Sequence, residues 1–165
     1  MKEKIQQVGK SGIGDIHSIA LKTWPIAYGQ ILVKDQLSYM LDRFYSFSSL
    51  SDSMDNGHLY YIYFENETPL GFVSIEFMED AKSMKIHKLY VLPNHQGKGI
   101  GAELFQKAIS KMLESGFKRL FLNVNRFNVA LKFYLRQGMQ IQKEENIDIG
   151  QGYWMEDYVM EKLFN

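Results

Sequence analysis

The sequence has no cysteine among its 165 residues. This absence excludes disulfide bonds, thiolate metal sites and a cysteine nucleophile together. Net charge is also absent, because 19 basic residues balance 19 acidic ones. We therefore expect neither nucleic acid nor a membrane surface as a partner, since both attract proteins through a strong positive field.

Long apolar runs are missing as well. No segment approaches the ~20 apolar residues of a membrane helix, and the opening stretch MKEKIQQVGK lacks the apolar core of a signal peptide. We therefore expect a cytoplasmic protein. The four histidines (His17, His58, His87 and His95) are scattered without a metal-ligand spacing, so we expect no protein-bound metal.

Material for a core is abundant, since 45% of the residues are hydrophobic and 14% are aromatic. The chain shows no repeat, low-complexity tract or Pro/Ser-rich linker, which predicts a single domain over residues 1–165. Residues 46–57, rich in Ser and Asp, are expected to form a loop. Helical spacing predicts helices at 15–28, 34–44, 100–116 and 128–137, with Pro25 ending or kinking the first.

Runs of β-branched and aromatic residues predict the strands. They lie at 58–64, 70–77, 84–92, 119–124, 139–144 and 153–163. The first two are separated by ENETP, which indicates a hairpin. Helices followed by mostly antiparallel strands, with one strand, helix, strand crossover in the middle, predict an α+β or mixed α/β fold.

The most informative segment is KIHKLYVLPNHQGKGIG, residues 85–101. A strand stops at Pro93, and a glycine-rich turn then enters an amphipathic helix. Unpaired N–H groups and the helix dipole both favour an anion at such a turn. The segment therefore predicts a site for the pyrophosphate of a nucleotide-type cofactor.

Two other phosphate motifs, and a turn without any ligand, compete with this interpretation. The loose dinucleotide pattern GxGxxA fits residues 97–102, but it needs an acidic residue after the next strand, where this chain has Asn123 and Val124. The pattern GxxxxGK[ST] is absent, because Gly99 follows Lys98. A turn without ligand is disfavoured, since three glycines within five residues lose backbone entropy unless a close approach requires them.

The strand ending in LYVLP, followed by Gln96, Gly99 and Gly101, resembles the acetyl-CoA site of the GNAT N-acetyltransferase superfamily. The resemblance runs from about residue 58 to the C-terminus. It implies a GNAT fold, in which helices flank a twisted, mostly antiparallel sheet whose middle strands splay apart. It also implies that acetyl-CoA is the co-substrate and that its pantetheine arm enters between the splayed strands.

The resemblance assigns particular residues to the cofactor. Main-chain groups of Leu89 and Val91 would bond the pantetheine arm, and the amides of residues 97–101 would hold the pyrophosphate, with Lys98 adding a positive charge. The implied cofactor-binding residues are Leu89, Tyr90, Val91, Gln96, Gly97, Lys98, Gly99, Ile100, Gly101, Asn123 and Asn128.

A second block of the family has the order Asn, Ala, Phe-Tyr, Gly. It is matched by Asn128, Ala130, Phe133, Tyr134 and Gly138. The spacing from Asn to Ala is one residue shorter than usual, so either Asn125 or Asn128 is expected at the cofactor. The family commonly uses the tyrosine to protonate the departing thiolate, which implies that Tyr134 is the general acid; the alternative is that Tyr134 only packs.

An alkylamine acceptor is protonated at neutral pH and must lose a proton before it attacks. Strand alternation puts His87 on the same side as Leu89 and Val91, which favours His87 as the base. Some relatives place a glutamate where this chain has Lys85, so a carboxylate base is excluded there. The candidates for the base are Glu76, His87, Glu156 and Asp157.

The N-terminal third roofs the acceptor site in this superfamily. Here it carries Trp24, Tyr28 and Tyr39, aromatic residues that either enclose an alkylammonium group or form core. The segments TWPIAYGQIL, IHKLYVLP and GYWMEDYVMEKLF resemble the bacterial spermidine/spermine N-acetyltransferase branch, which implies a polyamine attracted by Glu156 and Asp157. The candidate substrate residues are Trp24, Tyr28 and Glu156.

Taken as a whole, the resemblance predicts an N-acetyltransferase that passes acetyl from acetyl-CoA to a primary amine of a small molecule, by direct attack in a ternary complex. Two alternatives stay open: acetylation of a protein N-terminus or lysine, and a CoA-binding regulatory module without turnover. A monomer and a homodimer are both compatible with the sequence, since an exposed final strand can pair with another subunit.

Overall fold

The computed structural model describes residues 3–165. The strands are β1 Ile5–Val8, β2 Leu59–Glu65, β3 Thr68–Met78, β4 Ser83–Val91, β5 Arg119–Asn125, β6 Gln140–Gly150 and β7 Tyr153–Leu163. The helices are α1 Ile13–Tyr28, α2 Lys34–Tyr45, α3 Phe47–Asp55, α4 Ile100–Glu114 and α5 Ala130–Arg136. None of these described helices combines the length and the apolar character needed to span a membrane.

The described strands form a seven-stranded sheet in the order β1-β2-β3-β4-β5-β7-β6. β4 and β5 run parallel, and the other neighbouring pairs are antiparallel. A parallel pair needs a long crossover connection, which α4 provides here. This arrangement confirms the predicted mixed α/β class.

Apolar clusters cover both faces of the sheet. On one face α4 buries Leu104, Phe105, Ala108 and Met112, which recur at helical spacing, and we call this cluster the α4 core. On the other face α1, α2 and α3 form the α1 core around Trp24. A fully buried Leu or Phe side chain contributes about 1.5–3 kcal/mol of stability. The two cores therefore hold β4 and β5 firmly between them.

β4 and β5 separate part of the way along their length. Their pairing begins at Ser83 with Arg119 and ends at Ile86 with Leu122. Both strands continue beyond this point, β4 to Val91 and β5 to Asn125, without pairing with each other. The splay that the family resemblance implies is thus confirmed. We call the V-shaped opening the β4–β5 gap.

Two elements differ from expectation at the N-terminal side. The predicted loop at 46–57 contains the helix α3, because the Ser46 hydroxyl accepts the Ser49 amide at 3.2 Å and Leu50 is buried in the α1 core. A Ser/Asp-rich composition therefore marked a helix cap rather than a loop. The short strand β1 was not expected from sequence, and it is held by pairing with β2.

Two predicted boundaries are also corrected. α1 continues through Pro25 to Tyr28, so the proline does not end the helix. β6 continues to Gly150, past the predicted end at residue 144, because its pairing with β7 extends the ladder and Ile147 and Ile149 pack in the α1 core. Two alternating apolar residues are too few to identify a strand from sequence.

Candidate active site

The glycine-rich turn before α4 has the backbone conformation that an anion site requires. Gly97 and Gly99 have φ values of 80° and 84°, a region that other residues enter only with strain. A Cβ atom at either position would meet nothing within 4 Å, so open space lies against the turn. The side-chain amide of Gln96 donates to the Val91 carbonyl at 3.1 Å and fastens the turn to the end of β4.

The first turn of α4 adds unpaired donors. The Glu103 amide donates to the Gly99 carbonyl at 3.0 Å, which makes it the first amide of α4 with an intrahelical partner. The amides of Ile100, Gly101 and Ala102 therefore have no intrahelical acceptor. Together with the positive end of the helix dipole they favour an anion at the turn. The observed geometry fits the pyrophosphate of a nucleotide-type cofactor.

The β4–β5 gap begins beside this turn. From residue 87 onward, the edge of β4 that faces β5 has no ladder partner among the described strands. The hydroxyl groups of Tyr28 and Tyr90 meet there at 3.2 Å. The gap is lined by Tyr28, Ile86, His87, Lys88, Leu89, Tyr90, Leu122, Asn123, Val124, Asn128, Ala130 and Tyr134. Several residues predicted for the cofactor are thus brought together.

Tyr134 lies on α5 with its ring against Phe105 and Phe133 and lines the gap. Burial raises the pKa of its phenol well above the ordinary value, and Tyr28 raises it further. The hydroxyl therefore keeps its proton at neutral pH. A protonated phenol at this position can donate to a leaving group, which is what a general acid must do.

The three asparagines of this region have different surroundings. The side-chain oxygen of Asn128 accepts the Ala130 amide at 2.9 Å, and that of Asn125 accepts the Phe127 amide at 2.9 Å. Both therefore shape the turn into α5, but of the two it is Asn128 that lines the gap. The Asn123 side-chain amide donates to Glu145 of β6 and to Asp157 of β7.

The predicted orientation of His87 is wrong. Ser74 of β3 pairs with Lys88 and Ile75 pairs with Ile86, which leaves His87 as the extra residue of a β-bulge. A bulge shifts the alternation of side chains. Leu89 and Val91 belong to the α4 core, whereas the His87 side chain lies on the opposite face, with Glu76.

Glu76 holds two histidines on that face. The His87 Nε2 atom lies 2.8 Å from Glu76 Oε1 and the His58 Nε2 atom 3.4 Å from it, and the two imidazole rings stack at 4.1 Å. Burial, together with the nearby charges of His58, Lys85 and Lys88, lowers the pKa of His87 to about 2. His87 is therefore neutral at physiological pH, and its bond to Glu76 and its low pKa both weaken it as a base.

The histidines are scattered along the sequence, but the fold brings His58 and His87 together. The ligand atoms of His58, Glu76 and His87 lie within 4.8 Å of one another. The ammonium groups of Lys85 and Lys88 act on the same histidines and lower their pKa values. Positive charge at this position opposes a metal cation, so the cluster is best described as a hydrogen-bonded group.

The two aromatic residues predicted for the substrate, Trp24 and Tyr28, differ in whether they reach the β4–β5 gap. Trp24 is 4% exposed and packs on Tyr28 at 4.5 Å and on Tyr45 at 5.4 Å, so it forms part of the α1 core. Tyr28 is equally buried, but its hydroxyl reaches the gap. Of the two aromatic candidates, Tyr28 therefore lines the gap and Trp24 does not.

Glu156 and Asp157 point to opposite faces of β7. Met155 packs in the α1 core and Tyr158 in the α4 core, and side chains alternate along a strand. Asp157 therefore shares the face of α1 with Met155, whereas the exposed Glu156 lies on the other face. Sequence reasoning missed Glu145, which lies directly across from Asp157 on β6, because the strand was predicted to end at residue 144.

Comparisons with known proteins agree with this geometry. A spermidine N(1)-acetyltransferase of Thermoplasma acidophilum is 22% identical over 170 residues, with 99% of each chain covered. An uncharacterised N-acetyltransferase of Mycobacterium tuberculosis is 22% identical over 147 residues, covering 88% of this chain and 94% of the relative.

Solved structures share the fold. The crystal structure of the PaiA N-acetyltransferase from Thermoplasma acidophilum in complex with coenzyme A superimposes with a TM-score of 0.83 at 24% identity, covering 99% of this chain and all of the other. Residues 14–139 match the family described as Acetyltransferase (GNAT) family. The protein therefore belongs to the GNAT family of N-acetyltransferases, enzymes that use acetyl-CoA as co-substrate.

Proposed function

We propose that the protein transfers the acetyl group of acetyl-CoA to a primary amine of a small molecule by direct attack in a ternary complex. The observation that carries this proposal is the β4–β5 gap. The free edge of β4 ends at Val91, to which Gln96 of the glycine-rich turn is bonded, and the gap is lined by Tyr134 of the α4 core and Tyr28 of the α1 core. A thioester bound along the gap would thus be open to an amine arriving from the face of α1.

The cofactor-binding roles follow from the unpaired main-chain groups. The amides of residues 97–101 would hold the diphosphate, and the exposed Lys98 would add a positive charge beside it. The free edge of β4 at Leu89, Tyr90 and Val91 would bond the pantetheine arm in the way that a neighbouring strand would. Asn128 would contact the cofactor in preference to Asn125, because it lines the gap.

The proposed chemical roles follow from which groups can donate a hydrogen bond or a proton to the thioester. An acetyl thioester supplies an electrophilic carbonyl carbon and a thiolate leaving group. N–H groups on the free edge of β4 would polarise the carbonyl. The neutral phenol of Tyr134 would donate a proton to the departing sulfur. Both groups are held in place by regular secondary structure, which limits the loss of orientation before reaction.

A polyamine is the proposed acceptor. The spermidine N(1)-acetyltransferase from Thermoplasma acidophilum is similar to this chain over nearly its whole length. Two acidic side chains, Glu145 and Asp157, lie together on the face from which an acceptor would enter. Alkylammonium groups are attracted to such a site, since unlike charges interact strongly where water is partly excluded.

An acetylation screen with a tyrosine variant tests this function. The purified protein is incubated with acetyl-CoA and either spermidine, spermine, simple diamines, or peptides with a free N-terminus or lysine, and free thiol is measured. We expect saturable thiol release with the small amines. Tyr134→Phe should lower kcat by about 100-fold or more while coenzyme A affinity stays unchanged.

A matched control separates catalysis from packing. Tyr63 is also a buried tyrosine of the α4 core, but it lies on β2 and does not line the gap. Tyr63→Phe should therefore keep the wild-type rate. Release with peptides alone would indicate a protein acetyltransferase, and coenzyme A binding without turnover on any amine would indicate a regulatory module.

A further inference from the structure

Asp157 is a buried acid that forms no direct ion pair within residues 3–165, although the charges of Lys85 and Arg126 act on it from a distance. It is 5% exposed, and one carboxylate oxygen accepts the Asn123 side-chain amide at 3.3 Å. The other oxygen, Oδ1, has no hydrogen-bond partner within residues 3–165. An incompletely bonded carboxylate destabilises a protein interior. Such a group is most often found where a ligand completes its bonding.

A second carboxylate lies directly opposite. Glu145 of β6 pairs with Asp157 of β7, and its Oε1 lies 3.4 Å from the same Asn123 amide nitrogen. The other oxygen of Glu145 lies 3.5 Å from Lys143, whose side chain is 59% exposed. Like charges directly across a strand pair repel each other. The Lys85 ammonium acts on both carboxylates and offsets part of that repulsion, and a cation bound between them would relieve the rest.

The pair lies next to the β4–β5 gap. Asn123, which donates to both carboxylates, lines the gap, and so does Tyr28. The carboxylates therefore lie on the α1 face of the sheet and are hydrogen-bonded to a side chain of the gap lining.

This inference rests on the proposed amine acetylation. We propose that Asp157 binds the ammonium group of the acceptor and takes its proton, and that Glu145 forms the outer half of the same cation site. Rotation about the Cβ–Cγ bond exchanges the two oxygens of Asp157, so either can meet the incoming nitrogen while the other keeps Asn123. This places the base on β7, on the other side of the gap from the neutral His87.

The reaction balances with these groups. The ammonium gives one proton to Asp157 and becomes a neutral amine. Its nitrogen forms a bond to the thioester carbonyl carbon as the carbon–sulfur bond breaks. The sulfur takes a proton from the Tyr134 hydroxyl, which recovers one from the nitrogen as the neutral amide forms. Asp157 then releases its proton to water.

The groups around Asp157 determine how readily it accepts that proton. Burial raises the pKa of its carboxyl group, and Glu145 raises it further; the Asn123 hydrogen bond and the charges of Lys85 and Arg126 oppose this. From α1, Tyr28 faces the same carboxylate. Because the net shift is upward, Asp157 is a stronger base than an exposed aspartate.

Asp157→Asn tests the role, with Glu161→Gln as the matched control, because Glu161 is a carboxylate of the same strand that pairs with Arg119. With spermidine as the probe, we expect Asp157→Asn to lower kcat/KM by about 100-fold at pH 7. The defect should shrink as the pH rises toward the amine pKa near ~10, because the free amine then forms without a base. Coenzyme A affinity should not change.

Thermal unfolding distinguishes this role from a structural one. The raised pKa means that the folded state holds the Asp157 proton more tightly than the unfolded state, so the ionised carboxylate destabilises the fold at neutral pH. Asp157→Asn should therefore raise the Tm while lowering the rate. A structural role predicts the reverse: a lower Tm and a loss of rate that does not depend on pH.

A second variant keeps the inference testable should Asp157→Asn fail to fold. Glu145 lies on an edge strand, and Glu145→Gln should raise the KM for spermidine about tenfold, the effect of losing one ionic contact, with little change in kcat. Wild-type kinetics in either variant overturn the inference and leave the proposed function intact. A wild-type protein that binds coenzyme A but acetylates no amine overturns the proposed function, and the role of Asp157 with it.

Discussion

At the scale of single residues, burial decides protonation in this protein more than the nearest charge does. His87 lies 2.8 Å from the carboxylate of Glu76, a contact that favours the imidazolium form. Its pKa is nevertheless lowered to about 2, because the ring is withdrawn from water and surrounded by His58 and two lysines. The histidine therefore acts as a neutral hydrogen-bond donor to Glu76.

This low pKa predicts an acid-sensitive stability. The unfolded chain binds a proton at His87 below the ordinary pKa of about 6.5, whereas the folded state does not. Stability is therefore full above pH 6.5 and falls as the pH drops toward 2, by up to about 1.4 kcal/mol per pH unit from this group. His87→Gln keeps a donor for Glu76 but cannot titrate, so its stability should fall less.

Urea unfolding of both proteins at pH 7.5 and pH 4.5 measures the difference. The wild type should lose more of its free energy of unfolding than His87→Gln over this interval. An equal loss in the two proteins would mean that His87 is protonated in the folded state.

At the scale of elements, the two ends of α4 use glycine for different purposes. Gly99 precedes the helix with φ of 84°, and Gly116 follows it with φ of 81°. A Cβ atom at either position meets nothing within 4 Å. Gly116 allows the chain to leave the helix, whereas the space beside Gly99 is where the diphosphate of the cofactor is proposed to lie.

The pair Gly99→Ala and Gly116→Ala separates backbone strain from cofactor binding. Both variants force a side chain into the left-handed region and should lose about 1–2 kcal/mol of stability. Gly99→Ala should in addition weaken coenzyme A binding by about tenfold, the equivalent of one lost charge-assisted hydrogen bond. Calorimetric titration with coenzyme A and urea unfolding supply the two measurements. Equal affinities in both variants would place the diphosphate elsewhere.

At the scale of the whole molecule, the gap lies between two separate cores. The α4 core supports the cofactor side through Phe105 and Tyr134, and the α1 core supports the acceptor side through Tyr28 and Tyr90. A cofactor bound along the free edge of β4 would therefore be held by both cores. Its binding should stabilise the entire fold rather than one loop.

Ligand-dependent melting tests this coupling. Coenzyme A at 100 times its Kd should add about 2.7 kcal/mol of stability and raise the Tm by about 5–10 °C. NADH serves as the control, because the turn before α4 also fits a loose dinucleotide pattern. A shift with NADH equal to that with coenzyme A would restore the dinucleotide interpretation, and no shift with coenzyme A would remove the proposed site.

Several features could be predicted from local sequence because they depend on neighbours along the chain. Leu104, Ala108 and Met112 show the period of a helix, and Gly97 and Gly99 show a turn with positive φ. The splay of β4 from β5 is not visible in any local pattern. It was expected through the resemblance to a known family, and the structure confirmed it.

What the sequence determined by itself is thus the element pattern around α4 and the glycine-rich turn before it, because helical periodicity and glycine conformations act over a few residues. What only the tertiary structure decided is the chemistry of the acceptor side. The bulge at His87 reverses its side chain, and the pairing of β6 with β7 brings Glu145 to Asp157. Register between distant strands is set by packing of the whole sheet, so no stretch of residues contains it.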